Sequence, residues 1–121
     1  MLKAVLWDMD GTLVDSEQLH WLAWKEVMDA EGVAVTYQQF RDTFGQRNDS
    51  IIPLFLGGTA AAETVARISD TKEAAYRRMV RDGGITVIQG AIDWVRRLDE
   101  RGWLQAIASA APRANIDTIL D

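Results

Sequence analysis

Cysteine is absent from the 121-residue chain, which excludes disulfides and thiolate metal ligands and makes a reducing compartment, the cytoplasm, the expected setting. Long apolar runs are absent too. The opening stretch Ala4–Trp7 is far too short for a signal segment or a membrane span and is interrupted by Asp8 and Asp10, so no membrane partner is expected. Basic charge is scarce: 13 Lys and Arg stand against 18 Asp and Glu, a net charge of −5. That balance disfavours nonspecific attraction to nucleic acid or anionic lipid. A bound cation reverses such a field locally, so net acidity does not exclude a phosphorylated substrate. No internal repeat or low-complexity segment is present. What remains is 48% apolar and 26% charged, the composition of a packed globular domain.

The residues that carry chemistry come first. Lys3 to Leu13 is an apolar run that delivers Asp8 and Asp10 to its carboxyl end and turns at Gly11. Paired acids of this kind suit phosphoryl transfer, because one can attack phosphorus while its neighbour handles protons and both help hold a divalent cation. Val5 and Leu6, flanked by Ala4 and Trp7, predict a strand buried on both faces in a parallel sheet covered by helices.

From Glu17 the period becomes helical, with Leu19, Leu22, Ala23, Val27 and Met28 on one face, Asp15 or Ser16 as cap and Gly32 as stop. Thr36 and Gln39 predict a capping box for a short helix through Phe40 and Phe44. Asn48, Asp49 and Ser50 offer a further cap, with Pro53 near enough to the helix start to be tolerated. A long helix from Ala60 to about Asp82 carries Val65, Ile68, Tyr76 and Met79, with Arg67, Arg77, Arg78 and Arg81 read as a solvated face. After Gly83 and Gly84 come a helix through Ile92, Val95 and Leu98, a second apolar strand Trp103–Ala108, and a final helix with Pro112 in its first turn. Trp21, Trp24 and Trp94 read as packing residues rather than substrate platforms. The order predicts an α/β fold: a partial parallel-sheet core of residues 1–14 and 86–121, interrupted by an all-helical cap at 15–85, with hinges near Val14–Ser16 and Gly83–Ile85.

Asp8-Met9-Asp10-Gly11-Thr12-Leu13-Val14-Asp15-Ser16 resembles the first motif of the haloacid dehalogenase superfamily, in its branch with a helical cap, and the core is then expected to be an incomplete Rossmann-like sheet. The resemblance implies that Asp8 is the nucleophile that forms an aspartyl-phosphate. Asp10 is implied as the general acid and base, and Mg²⁺ is held by the Asp8 carboxylate and the Asp10 carbonyl. Ser109, after the second strand, matches the second family motif, whose hydroxyl meets the transferring phosphoryl group; a Ser between strand and helix also reads as an N-cap. Backbone N–H groups of Met9 and Ala110, and the Thr12 position of the first motif, complete the implied phosphate cradle.

Within the cap, His20, Trp24 and Lys25 are similar in spacing to β-phosphoglucomutase and related sugar-phosphate phosphatases. His20 reads equally as a hinge-helix polar contact. Arg47 and Lys72 resemble substrate-facing cap residues, although the mutase has its Arg three residues after the loop Gly, where this chain has Asn48. The implied activity is a Mg²⁺-dependent phosphatase acting on a small phosphorylated metabolite, with a phosphomutase or a noncatalytic assembly module as alternatives. The resemblance also implies a charge-neutralising Lys and further acidic metal ligands, which follow later strands in the family and do not occur before Asp121. The expectation is a fragment, a split protein with a complementing chain at an unpaired core edge, or a self-associating remnant, with low activity alone.

Overall fold

A computed structural model of the chain describes residues 1–109 and 111–120. In chain order the elements are β1 (Ala4–Trp7), β2 (Val14–Asp15), α1 (Glu17–Ala30), α2 (Tyr37–Thr43), α3 (Asn48–Phe55), α4 (Ala62–Gly83), β3 (Thr86–Val87), α5 (Ala91–Glu100), β4 (Leu104–Ile107) and α6 (Arg113–Leu120). They divide into a strand unit, Met1–Glu17 with Ile85–Ser109, and a helical unit, Gln18–Gly84 with the final helix. The fold is α/β, with a parallel strand pair and an all-helical insertion between its strands.

In the strand unit β1 and β4 pair in parallel, from Ala4↔Leu104 to Trp7↔Ile107. The ladder extends past the strand ends, where the Ala108 N–H donates to the Trp7 carbonyl at 2.8 Å. Trp7 Nε1 donates to Gln105 Oε1 at 2.9 Å, and Gln105 Nε2 donates to the Val95 carbonyl at 2.9 Å, which ties this face of the sheet to α5. Burial alternates along both strands: Val5, Trp7, Gln105 and Ile107 are half-buried, whereas Ala4, Leu6, Leu104 and Ala106 are exposed. The expected burial on both faces is therefore not found. This sheet has two strands among the described residues, and α5 covers one face, so Leu6 stays 73% exposed. Trp94, read as packing, is also exposed on α5, with the Arg97 guanidinium 5.5 Å from its ring.

The two connections to the helical insertion pair with each other. β2 and β3 form an antiparallel ribbon, Val14↔Val87 and Asp15↔Thr86, and the Ile88 N–H adds a bond of 3.0 Å to the Leu13 carbonyl. Strands of two residues carry too little periodicity to be read from sequence.

The helical unit is built from amphipathic faces. α1 buries His20, Ala23, Trp24, Val27 and Met28, a spacing of three and four residues that keeps one face inward. It ends at Gly32, whose φ of +77° allows the Val33 N–H to return to the Met28 carbonyl at 2.9 Å. α2 starts with the capping box expected at Thr36 and Gln39. α3 differs from expectation, since its cap position is Arg47 with no side-chain bond, and the Asn48 side chain turns inward. Pro112 likewise precedes α6 rather than occupying its first turn. α4 buries Ile68, Lys72, Glu73, Ala75, Tyr76 and Val80. Its arginines do more than solvate a face: Arg67 pairs with Glu31 and Arg78 with Glu26, both at or just after α1, while Arg77 donates to Asn115 on α6. Met28, Ile52 and Ile68 are fully buried, each contributing about 1.5–3 kcal/mol by leaving water. Among the described residues, no helix is long and apolar enough to cross a membrane.

Candidate active site

β1 ends at Trp7, and the next three residues form a turn organised by one carbonyl. Met9 O accepts from the N–H groups of Thr12 at 3.2 Å, Leu13 at 2.9 Å and Val14 at 3.2 Å, while the Gly11 N–H donates to the Val14 carbonyl at 2.9 Å. The φ of Gly11 is +78°, a conformation that costs glycine little and other residues much. Met9, between the two acids, is 1% exposed, so the turn that carries Asp8 and Asp10 is anchored in the interior.

The two acids differ in environment. Asp8 is exposed, and its Oδ1 accepts the Met9 N–H at 2.9 Å. Asp10 is half-buried, and its Oδ1 accepts the hydroxyl of fully buried Ser16 at 2.7 Å. Thr12 is half-buried in the same turn.

Ser109 follows the paired strand. Because Trp7 and Ile107 are in register, Asp8 is one residue and Ser109 two residues beyond the ends of adjacent parallel strands, at the same carboxyl edge. Ligands of open parallel sheets bind at that edge. Ala110, the other backbone donor expected there, lies outside the described residues.

The donors at this edge fit a hard divalent cation in kind. Mg²⁺ takes one or two carboxylates and fills its shell with water and substrate phosphate, which an exposed Asp8 carboxylate can begin. Among the described residues there is no cluster of three or more His, Cys, Asp or Glu that could hold a metal.

Within the helical unit, two of the three expected cap residues meet. Lys72 Nζ lies 2.8 Å from His20 Nδ1 and 2.7 Å from Glu73 Oε1, and its ammonium sits 5.0 Å from the Trp24 ring centre. The ammonium has no lone pair, so His20 accepts at Nδ1 and its ring proton resides on Nε2. His20 stacks on Tyr76 with ring centres 3.9 Å apart. Glu73 also accepts from Asn48 Nδ2 at 2.8 Å and from Asn115 Nδ2. Burial by itself pushes the Glu73 carboxyl up, but the Lys72 charge and the bonds from Lys72, Asn48 and Asn115 outweigh it and hold the group below the usual carboxylate range. Arg47 stays apart: its side chain is 76% exposed and pairs loosely with Asp49 at 3.4 Å.

The sequence assigns no role to Glu73, and it offers Asn48 only as a cap residue standing where the mutase has its Arg and Ser16 only as a cap. One signal was available, because Ile68, Lys72, Tyr76 and Val80 recur every four residues, placing a lysine on a buried stripe where a counter-charge is required.

Hexitol phosphatase B of Escherichia coli strain K12 is 29% identical over 125 residues, covering 98% of this chain and 54% of that protein. Beta-phosphoglucomutase of Mycobacterium bovis is 26% identical over 137 residues, covering 91% of this chain and 52% of that protein. A crystal structure of a CbbY mutant from Rhodobacter sphaeroides in complex with xylulose-(1,5)bisphosphate matches with a TM-score of 0.84 at 26% identity, covering 98% of this chain and 56% of that one. The chain spans about half the length of the curated relatives it matches. Residues 2–121 match the haloacid dehalogenase-like hydrolase family, and with Asp8, Asp10 and Ser109 at one sheet edge, the chain belongs to that family.

Proposed function

We propose that the protein is a Mg²⁺-dependent phosphatase that hydrolyses a small phosphorylated metabolite, a sugar phosphate, through an aspartyl-phosphate intermediate. The observation that carries this reading is the strand register, which brings Ser109 to the same edge as the acid-bearing turn of Asp8 and Asp10. Family membership and relatives named as a hexitol phosphatase and a phosphoglucomutase support it.

In this reading an Asp8 carboxylate oxygen attacks phosphorus and the bond to the sugar oxygen breaks. Asp10, protonated at the start, gives its proton to that leaving oxygen. Water then attacks the same phosphorus, Asp10 takes the water proton, and inorganic phosphate departs with the Asp8 carboxylate restored. The bond from Ser16 restrains Asp10 rotation through both steps. Ser109, Thr12 and the Met9 N–H serve the phosphoryl oxygens, the Met9 group exchanging its bond to Asp8 for one to phosphate. When bound by the Asp8 carboxylate and the Asp10 carbonyl, Mg²⁺ supplies charge neutralisation at the phosphoryl group. Arg47, open to solvent, is assigned to the leaving group, while His20 and Lys72 act from inside the helical unit.

Lys3 is the strand unit's lysine and precedes β1, at the end opposite Asp8. With no lysine of the strand unit beside the nucleophile among the described residues, turnover by the chain at least ~10³-fold slower than by an enzyme that has one there is part of the proposal. Exposed Leu6 and Leu104 make self-association, or a complementing chain at this sheet, part of the same proposal. A cytoplasmic setting accords with the lack of cysteine.

The test is a panel of hexose, hexitol and pentose phosphates with Mg²⁺ and with chelator, reading inorganic phosphate and sugar isomers. Mg²⁺-dependent phosphate release that disappears in Asp8→Asn is expected; release that persists in Asp8→Asn overturns the assignment. A mutase, favoured by the phosphoglucomutase relative, would instead yield an isomerised sugar phosphate. Against it, both N–H groups of Asn48 are directed to Ser69 and Glu73 rather than to a second phosphate.

A further inference from the structure

The amino ends of β1 and β4, opposite the acid-bearing turn, border a cavity of about 380 Å³ lined by Met1, Lys3, Arg101, Gly102 and Trp103. That volume falls within the range of small-molecule sites, about 300–1,000 Å³. Backbone bonds fix its frame from both sides. The Arg101 and Trp103 N–H groups both donate to the Leu98 carbonyl, at 3.2 and 3.0 Å, and close the end of α5, while the Leu104 N–H donates to the Lys3 carbonyl at 2.9 Å. The parallel pairing of β1 with β4 thus brings Lys3 beside a segment about a hundred residues later in the chain.

Two cations and no acid line the cavity. Lys3 Nζ lies 5.4 Å from the Trp103 ring centre, and among the described residues neither Lys3 nor Arg101 forms an ion pair. Asp99 and Glu100, the last two residues of α5, are not part of its lining. An arginine at the carboxyl end of a helix is accounted for by the helix dipole. A lysine brought beside it from the other strand is not, because like charges sharing one cavity repel. An anion relieves that repulsion, and a guanidinium fork with an ammonium matches the oxygens of a phosphoryl group. Trp103 is half-buried, and its indole offers an apolar wall to the rest of a ligand.

We propose that this cavity binds a small organic phosphate dianion: Lys3 and Arg101 hold the phosphoryl oxygens, and the organic part rests against Trp103. Lys3 stands five residues before Asp8, roughly 16 Å along an extended chain, so the site is separate from the catalytic edge and does not depend on the phosphatase reading. A charged patch that served solubility alone would respond to ionic strength and not to the kind of anion.

The experiment is NMR of the chain without Mg²⁺, following the Trp103 indole N–H and the Gly102 amide during titration with inorganic phosphate, with phenylphosphonate, and with sodium chloride at matched ionic strength. The Ser109 amide reports binding at the opposite edge separately. Saturable shifts at Trp103 and Gly102 are expected with both phosphorus anions, tighter for phenylphosphonate, and none with chloride. Lys3→Met and Arg101→Met should each weaken binding about tenfold, the scale of one lost hydrogen bond to a charged group, whereas Lys3→Arg should retain it. Both side chains are exposed, so these variants should melt with the wild type. Shifts that chloride reproduces, that do not saturate, or that persist in both Met variants overturn the proposal. Equal affinity for phosphate and phenylphosphonate overturns the part assigned to Trp103. Should a Met variant fail to fold, the wild-type comparison of phosphorus anions with chloride decides by the same criteria.

Discussion

Ser16 donates its hydroxyl to Asp10 Oδ1 at 2.7 Å, from a position that is fully buried and immediately precedes α1. The proton-handling acid of the proposed mechanism is thus oriented by the last residue before the first helix. Its partner acid, Asp8, accepts a local backbone bond from the Met9 N–H. The asymmetry suits the roles assigned, since a nucleophile must reach phosphorus and a proton carrier must hold its direction.

Asp8→Asn should abolish phosphate release with little change in melting temperature, because the side chain is exposed. Asp10→Asn should slow turnover by about 10²–10⁴-fold through loss of proton transfer. Steady-state assays beside thermal melts of the same samples check both.

Ser16→Ala should lower kcat more than it raises KM, because it releases Asp10 without touching a substrate group. Loss of the buried bond should also cost about 1–2 kcal/mol in urea denaturation. Threonine at the same position keeps the hydroxyl and should recover part of the rate.

Lys72→Met leaves the Glu73 carboxylate buried without its cation. Destabilisation of about 3 kcal/mol is expected. Adding Glu73→Gln removes the stranded charge and should restore part of that loss, measured as a double-mutant cycle in urea. Additive losses would mean that the two groups do not interact.

The Glu73 carboxyl titrates below its unfolded value of 4.5 in the folded chain. The unfolded state therefore binds the proton more readily, so the stabilisation is fully present above that value and is lost as pH falls through the lower folded one. Urea midpoints from pH 7 to pH 3 should fall most steeply below about 4.5, and Glu73→Gln should flatten that limb.

Leu6→Lys should change monomer stability by no more than about 0.5 kcal/mol, because the side chain is 73% exposed. It should reduce any self-association of the chain in sedimentation velocity. An unchanged mass distribution would show that this face does not mediate association.

The helices around Ala23–Met28 and Ile68–Val80 were legible in the sequence because an apolar stripe repeats at 3.6 residues whatever it packs against. The capping box at Thr36 and Gln39 was legible for the same local reason, as two side chains three residues apart satisfy each other's backbone. Asp8 and Asp10 were readable as a pair because one residue separates them in the chain. The β2–β3 ribbon was not, because each strand is two residues long and its partner lies more than seventy residues away. Two-sided burial of β1 was expected from composition alone, and composition does not report how many neighbours a strand acquires.

Local order therefore belonged to the sequence: where helices start and stop, which turn follows the first strand, and which acids it carries. Tertiary structure decided what depends on distance through space. It brought Ser109 and Asp8 to the carboxyl ends of paired strands by register, turned Lys72 inward onto Glu73, and gave Glu73 a partner on α6. The physical reason is that propensity and periodicity act over a few residues, whereas the partners of a buried charge are set by chain segments that meet only after folding.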